Sequence, residues 1–138
     1  MINCFIPFLS LLQARQTVRA LGLCDRIKNI YLLATEKIPD EVEGCEMLMI
    51  DSPASTATFR TIALHADTAY TLLYTKYTAF EPGQFAFERL LAIAGDTNAG
   101  MLYADRYLLK NGNSQQAPVI DYQKGSLRDD FDFGSLLF

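Results

Sequence analysis

The sequence has no tryptophan, one histidine (His65) and three cysteines. A lone histidine excludes any site that needs two imidazoles and weakens Ser-His-Asp chemistry. Cys4, Cys24 and Cys45 are odd in number and include no C-x-x-C pair. That spacing builds neither a disulfide framework nor a zinc site, and it reads as buried thiols in a reducing compartment. No apolar run reaches the ~18 residues that span a bilayer, so no transmembrane segment is expected. Met1 to Leu12 is greasy, but no Lys or Arg precedes its apolar core and Pro7 divides it. It reads as a first strand entering a helix rather than as a signal peptide. Neither G-x-G-x-x-G nor G-x-x-x-x-G-K-[ST] occurs, which argues against a standard dinucleotide oxidoreductase and a P-loop NTPase. Positive charge is also in short supply. With a net charge of −4, broad nucleic-acid binding is not expected, and any anionic ligand must be held by a local cluster of donors.

What is present is a globular pattern. Half of the 138 residues are apolar and a fifth are charged, which excludes a disordered tail and suits one domain. Apolar runs at Asn3–Phe8, Asn29–Ala34, Glu46–Ile50, Ala69–Thr75 and Ala99–Ala104 read as strands. Helical patterns separate them. Ser10 and Gln13 form a capping box for a helix that buries Leu11, Ala14, Val18 and Leu21 and ends at Gly22. Ser52-Pro53 reads as the next helix start, with Phe59, Ile62, Ala63 and Ala66 inward. Pro82 opens a third helix, with Phe87, Leu90, Leu91 and Ala94 inward and Gly95 as its stop. The polar stretch Thr35 to Gly44, with Pro39, reads as a loop or single turn. Beyond Tyr107 the pattern changes. Asn111-Gly112-Asn113 is a turn signal, Pro118–Tyr122 a short strand, and Gly125–Asp132 a polar stretch. The chain stops inside the apolar run Gly134–Phe138, which leads to the expectation of a longer polypeptide.

Near-continuously apolar strands separated by helices predict a mostly parallel sheet covered on both faces, a Rossmann-like α/β layer. Ligands of such sheets bind at the carboxyl ends of the strands. The positions to inspect are Pro7 and Phe8, Thr35 to Lys37, Asp51 and Ser52, Thr75 to Tyr77, and Asp105 to Tyr107. They combine hydroxyls, carboxylates and a lysine, which suits a ligand with phosphates and hydroxyls. His65 reads as a partly exposed helix residue. Asp129, Asp130 and Asp132 read as a solvated loop with one Arg–Asp pair. Tyr70, Tyr74, Tyr77, Tyr103 and Tyr107 read as packing residues more readily than as stacking platforms.

The order of these segments resembles that of a family 2 glycosyltransferase of the GT-A fold. Phe5-Ile6-Pro7-Phe8, followed by Ala14-Arg15-Gln16-Thr17-Val18-Arg19-Ala20-Leu21, is similar to the family's opening. The stretch Ala69 to Leu91 has an apolar strand and then the proline-opened helix Glu81-Pro82-Gly83 with Glu88-Arg89-Leu90-Leu91. Leu102-Tyr103-Ala104-Asp105 with Gly112 is similar to a Y-S-D…D-G stretch, and Gly125-Ser126-Leu127-Arg128 to Leu137 to the strand entering the acceptor side.

The resemblance implies a GT-A three-layer sandwich over 1–138, cut short at its C-terminus. Residues 1–107 would be the nucleotide-sugar-binding half and 108–138 the start of the acceptor-side region. The implied activity is transfer of a sugar from a nucleotide diphosphate donor to a saccharide-type acceptor, as in polysaccharide biosynthesis. Pro7, Glu36, Arg60, Lys76 and Asp105 are the implied substrate-binding residues. The family's D-x-D motif, which holds Mn or Mg, reads Thr75-Lys76-Tyr77 here, so no metal ligand is assigned. The Lys76 ammonium would stand in for the cation, or the metal site is lost. The family's general base lies in a later acidic motif, so these residues are expected to bind donor without a catalytic residue of their own. The alternative is a non-catalytic binding or assembly module of the same fold, and a third option is an unrelated flavodoxin-like or nucleotide-binding domain. The expected location is the cytoplasm, including the inner membrane face, and the edge after Leu136 is expected to be open to a second chain.

Overall fold

Ile2–Pro7 forms β1, and all six of its residues are buried. A strand buried on both faces must lie inside a sheet, and β1 does. In the computed structural model, which describes residues 1–138 apart from Pro39, Ser126, Asp129 and Asp130, β1 pairs in parallel with β2 (Ile27–Ala34) on one side and β4 (Tyr70–Tyr74) on the other. β3 (Glu46–Met49) adds in parallel to β2. β7 (Leu136–Leu137) returns antiparallel beside β4, giving a five-stranded sheet of order β3-β2-β1-β4-β7.

Alternation along the strands sends side chains to two cores. One face carries Ile2, Cys4, Ile6, Ile30, Leu32, Leu72 and Tyr74. It is covered by Ala14, Val18 and Leu21 of α1 (Leu11–Gly22) and by Phe87, Leu90 and Leu91 of α3 (Ala86–Thr97). The other face carries Phe5, Tyr31, Leu33, Leu48 and Ile50, covered by Ile62 of α2 (Thr56–His65). Each fully buried Leu, Ile, Val or Phe among them contributes about 1.5–3 kcal/mol. The α/β class with a mixed, mostly parallel sheet is therefore as predicted, in three layers. Among the described residues no helix is long and apolar enough to cross a membrane.

Local signals place α1 well. Ser10 accepts from the Gln13 N–H, and the Gln13 side chain reaches back to the N–H of Leu9. The other two helix starts differ from expectation. The N-cap of α2 is Ser55, not Ser52: Asp51 accepts from both the Ser55 hydroxyl and the Ser52 N–H, which turns 51–55 into a lead-in. Its buried residues are Thr58 and Ile62, while Phe59 and Ala63 are exposed. α3 begins at Ala86 instead of Pro82 and runs through Gly95 to Thr97. The segment 75–85 does not turn at once into helix because it is tied to α1: Thr17 accepts from the Phe80 N–H and Gln13 donates to the Thr78 carbonyl.

The last third departs further. Ala99–Ala104 is not a strand. Only Leu102 and Tyr103 pair, against Phe138 and Leu137. Consequently the far side of β7 is not the open edge expected after Leu136. The strand missed there is β5 (Arg106–Lys110), which forms a separate hairpin with β6 (Asn113–Ala117). Asn111 and Gly112 join them with φ of 52° and 76°, the two left-handed positions that this tight turn requires. Pro118–Tyr122 is irregular, with side chains taking its backbone groups: Asp105 accepts the Val119 N–H and Tyr103 donates to the Ile120 carbonyl. Pro39 and part of the polar stretch 125–132 fall outside the described residues.

Candidate functional site

The strand order steps outward from β1 to β2 and β3 on one side and to β4 on the other. The connections leaving β1 and β4 lead to α1 and α3, which cover the same face and run side by side; the change of strand order between β1 and β4 is the position at which open α/β sheets place a ligand crevice. Gln13 spans it. Its buried side chain donates to the carbonyl of Pro7, at the end of β1, and to that of Thr78, after β4, at 3.4 and 3.3 Å. Its place in the sequence marks Gln13 only as a helix cap.

Pro7 is buried and ends β1, so it borders the crevice through its backbone. Lys76 is exposed, two residues past β4. Thr75 before it is anchored at two points: its N–H donates to Ser135 O at 2.9 Å and its hydroxyl to Gly134 O at 3.3 Å. Lys76 is thus delivered at the carboxyl end of β4 by a pinned neighbour. Glu36 is exposed beyond β2, one strand farther out. Arg60 is not brought to the crevice. It is exposed on α2, two residues from both Thr58 and Ile62, and 100° per residue turns it away from the buried side.

Asp105 is exposed and its Oδ1 accepts the Val119 N–H at 2.8 Å. It shares an open groove of about 400 Å³ with Tyr103, Val119 and Asp121. A second groove of about 390 Å³ lies between Leu23 and Phe85. Its lining includes Asp25, Glu81 and Glu88 and no cation, so it offers nothing to a phosphate.

The structure joins two residues that the sequence places in separate stretches. Arg106 Nη2 donates to Asp132 Oδ2 at 3.2 Å, and Asp132 Oδ1 accepts the Gly134 N–H at 2.8 Å. The Gly134 N–H, then the Arg106 guanidinium and more distantly Lys76, hold the Asp132 carboxyl below its usual range. Gly134 has φ of +85°, and a Cβ there would stand 3.2 Å from Arg106 Nη1 and from Ala104 O. Only glycine admits this turn and leaves room for the guanidinium. Asp132 was expected in a solvated loop with an Arg–Asp pair. Its partner proves to be Arg106, 26 residues away, while Asp129 and Asp130 lie outside the described residues.

Other inspected groups have structural employment. Asp51 is held below the usual carboxylate range by the Ser55 hydroxyl and then the Ser52 N–H, within the cap of α2. His65 is half-buried, packs edge-on against Tyr31 and shares its Nδ1 with Thr61 O. Tyr74 is buried, Tyr70 stacks on Phe138, and Tyr103 meets Phe131 and Phe133 edge-on. Burial pushes the Cys4 thiol up to about 12 and Cys45 to about 11, so neither is poised as a nucleophile.

A divalent cation of the kind that a D-x-D motif holds does not fit positions 75–77. Thr75 donates its hydroxyl to a carbonyl, Lys76 carries a like charge, and Tyr77 offers a phenol. Among the described residues no three His, Cys, Asp or Glu side chains converge to hold a metal ion. What the arrangement can do is receive an anion beside Lys76 and Arg106. No family model matches the chain, and no curated protein matches it.

Proposed function

We propose that this chain is a glycosyltransferase-like domain of the GT-A type that binds a nucleotide diphosphate sugar across the carboxyl ends of β1 and β4, for transfer to a saccharide-type acceptor. The observation that supports it best is Lys76, exposed at the crevice where the strand order reverses and set there by the twice-anchored Thr75. A diphosphate leaving group needs its charge balanced, and an ammonium can contact phosphate oxygens directly. The antiparallel β7 beside β4 and the outlying β5–β6 hairpin suit an acceptor side distinct from the donor side. The reading assigns donor binding to these residues and no general base.

Calorimetric titration with nucleotide diphosphate sugars tests it, once with chelator and once with manganese. Binding is expected under chelator, weakened about tenfold or more in Lys76→Ala, the scale of one charge-assisted hydrogen bond. Binding that requires manganese would overturn the lysine's role, and no binding to any donor would overturn the reading. The second reading, a binding or assembly module of the same fold, is favoured by one observation: the misfit of positions 75–77 to a metal. It predicts no donor binding in either condition.

A further inference from the structure

We propose that Arg106 joins Lys76 as a two-cation seat for a diphosphate at the carboxyl end of β4, with Asp132 as the resident counter-ion that the diphosphate displaces. The inference rests on the donor-binding reading and names the contacts that would hold the charged part of the ligand. Two features carry it. The first is connectivity. Thr75 is bound to Ser135 and Gly134, and Gly134 is bound to Asp132, which is bound to Arg106. Lys76, next to Thr75, and Arg106 therefore belong to different segments joined at Asp132, whose carboxyl is bonded by Arg106 and feels Lys76 more distantly.

The second feature is the state of the guanidinium. Its side chain is 19% exposed, yet it makes one hydrogen bond to Asp132, at 3.2 Å. Its Nε and Nη1 are buried with no acceptor among the described residues. An arginine kept for structure alone commonly takes a carboxylate with two parallel bonds at roughly 2.7–2.9 Å. Here the contact is single and long, and Asp132 is 57% exposed. A carboxylate held this way can be exchanged for a stronger anion. A diphosphate carries more negative charge than the aspartate it would replace. A phosphate oxygen in place of Asp132 Oδ2 takes over the Nη2 contact.

The test is titration of the whole chain with inorganic pyrophosphate in low-salt buffer with chelator, alongside the nucleotide sugars. Binding is expected in the parent protein. Arg106→Gln should weaken it about tenfold. Asp132→Asn should tighten it several-fold, because the competing charge is gone while an oxygen remains to accept the Gly134 N–H. That opposite sign separates a counter-ion from a structural prop, whose loss would weaken binding. Thermal melts check that each variant folds. If Arg106→Gln does not, Arg106→Lys, which keeps the charge and loses the fork, should give intermediate weakening. An Asp132→Asn variant that binds pyrophosphate equally or more weakly overturns the seat, as does a parent protein that binds nucleotide sugars but not pyrophosphate. The donor-binding reading survives both results. Pyrophosphate binding with the expected signs and no affinity for any nucleotide sugar would keep the seat and overturn that reading instead.

Discussion

All six residues of β1 are buried, whereas no residue of β5 or β6 is. The two regions are held by different means. The parallel sheet stands on apolar burial against α1, α2 and α3. The hairpin stands on its own ladder, closed by the Asn111-Gly112 turn, and joins the body through Arg106, Gly134 and the pairing of Leu102 with Phe138. The carboxyl end of β4 lies where these regimes meet: Lys76 follows a strand of the buried sheet, and Arg106 belongs to a segment with few buried contacts. Regions of few buried contacts open locally at low cost, which is what a ligand that displaces a counter-ion requires.

The largest effect should come from breaking the sheet's core while leaving the hairpin intact. Leu72 is fully buried beside Cys4, and Leu72→Ala should cost about 3 kcal/mol, as the transfer and cavity terms add. Leu109 is 77% exposed, and Leu109→Ala should change stability by less than about 0.5 kcal/mol. Urea denaturation of both variants measures the contrast. Comparable losses would mean that the hairpin is packed against something and that the two-region description fails.

Gly134→Ala comes next. It forces a side chain onto a left-handed residue and drives Cβ to 3.1 Å from the Val119 methyl as well as 3.2 Å from Arg106 Nη1. The expected cost is about 1–3 kcal/mol, the range for strained backbone. Hydrogen exchange locates it. The amides of Thr75, Leu102 and Phe138, which bond across this join, should exchange faster, while those of β1 keep their protection. Uniform loss of protection would show one cooperative unit in place of two.

The same contrast explains what could be read from the amino acids. β1, α1, β2, β3 and β4 follow from patterns inside single segments, and they appear where expected, within a residue or two. Where two local signals competed, the nearer contacts decided. Ser55 wins the cap of α2 over Ser52 because Asp51 holds both. Ala99–Ala104 misled because apolarity marks burial and not pairing. Only Leu102 and Tyr103 meet a partner, since the returning β7 is two residues long. β5, Arg-Tyr-Leu-Leu-Lys, has no alternation to reveal it, because neither face is buried. In the site, Lys76 was legible from its place after β4. Arg106 and Asp132 each lay in a stretch the sequence singled out, but their pairing was not legible, since it depends on a chain return that no local spacing encodes. The D-F-G triplet at 132–134, an aspartate capping a turn glycine, was the one available hint.

The smallest effect separates the two regions by charge. Asp67 sits at the first, where Lys28 and then Asn3 hold its carboxyl below the usual range. The buried Asn3 amide donates to Asp67 Oδ1 and to His65 O. Asp132 sits at the second, lowered by Gly134 and Arg106. A carboxyl whose folded pKa is depressed stabilises fully above its unfolded value, roughly 3.9, and loses that contribution as pH falls through the lower folded value. Both carboxylates are largely exposed, so each share is small and screened by salt. Stability should therefore be flat from neutral pH to about 4 as far as these groups decide it, and fall below that. Asp67→Asn and Asp132→Asn should each flatten part of the decline. Asp67→Asn should lower the global melting temperature at neutral pH, because Asn3 is fully buried in the sheet and loses a charged acceptor. Asp132→Asn should leave that temperature nearly unchanged and alter only exchange near Gly134. The reverse assignment would place the structural charge at the crevice and the dispensable one under β1.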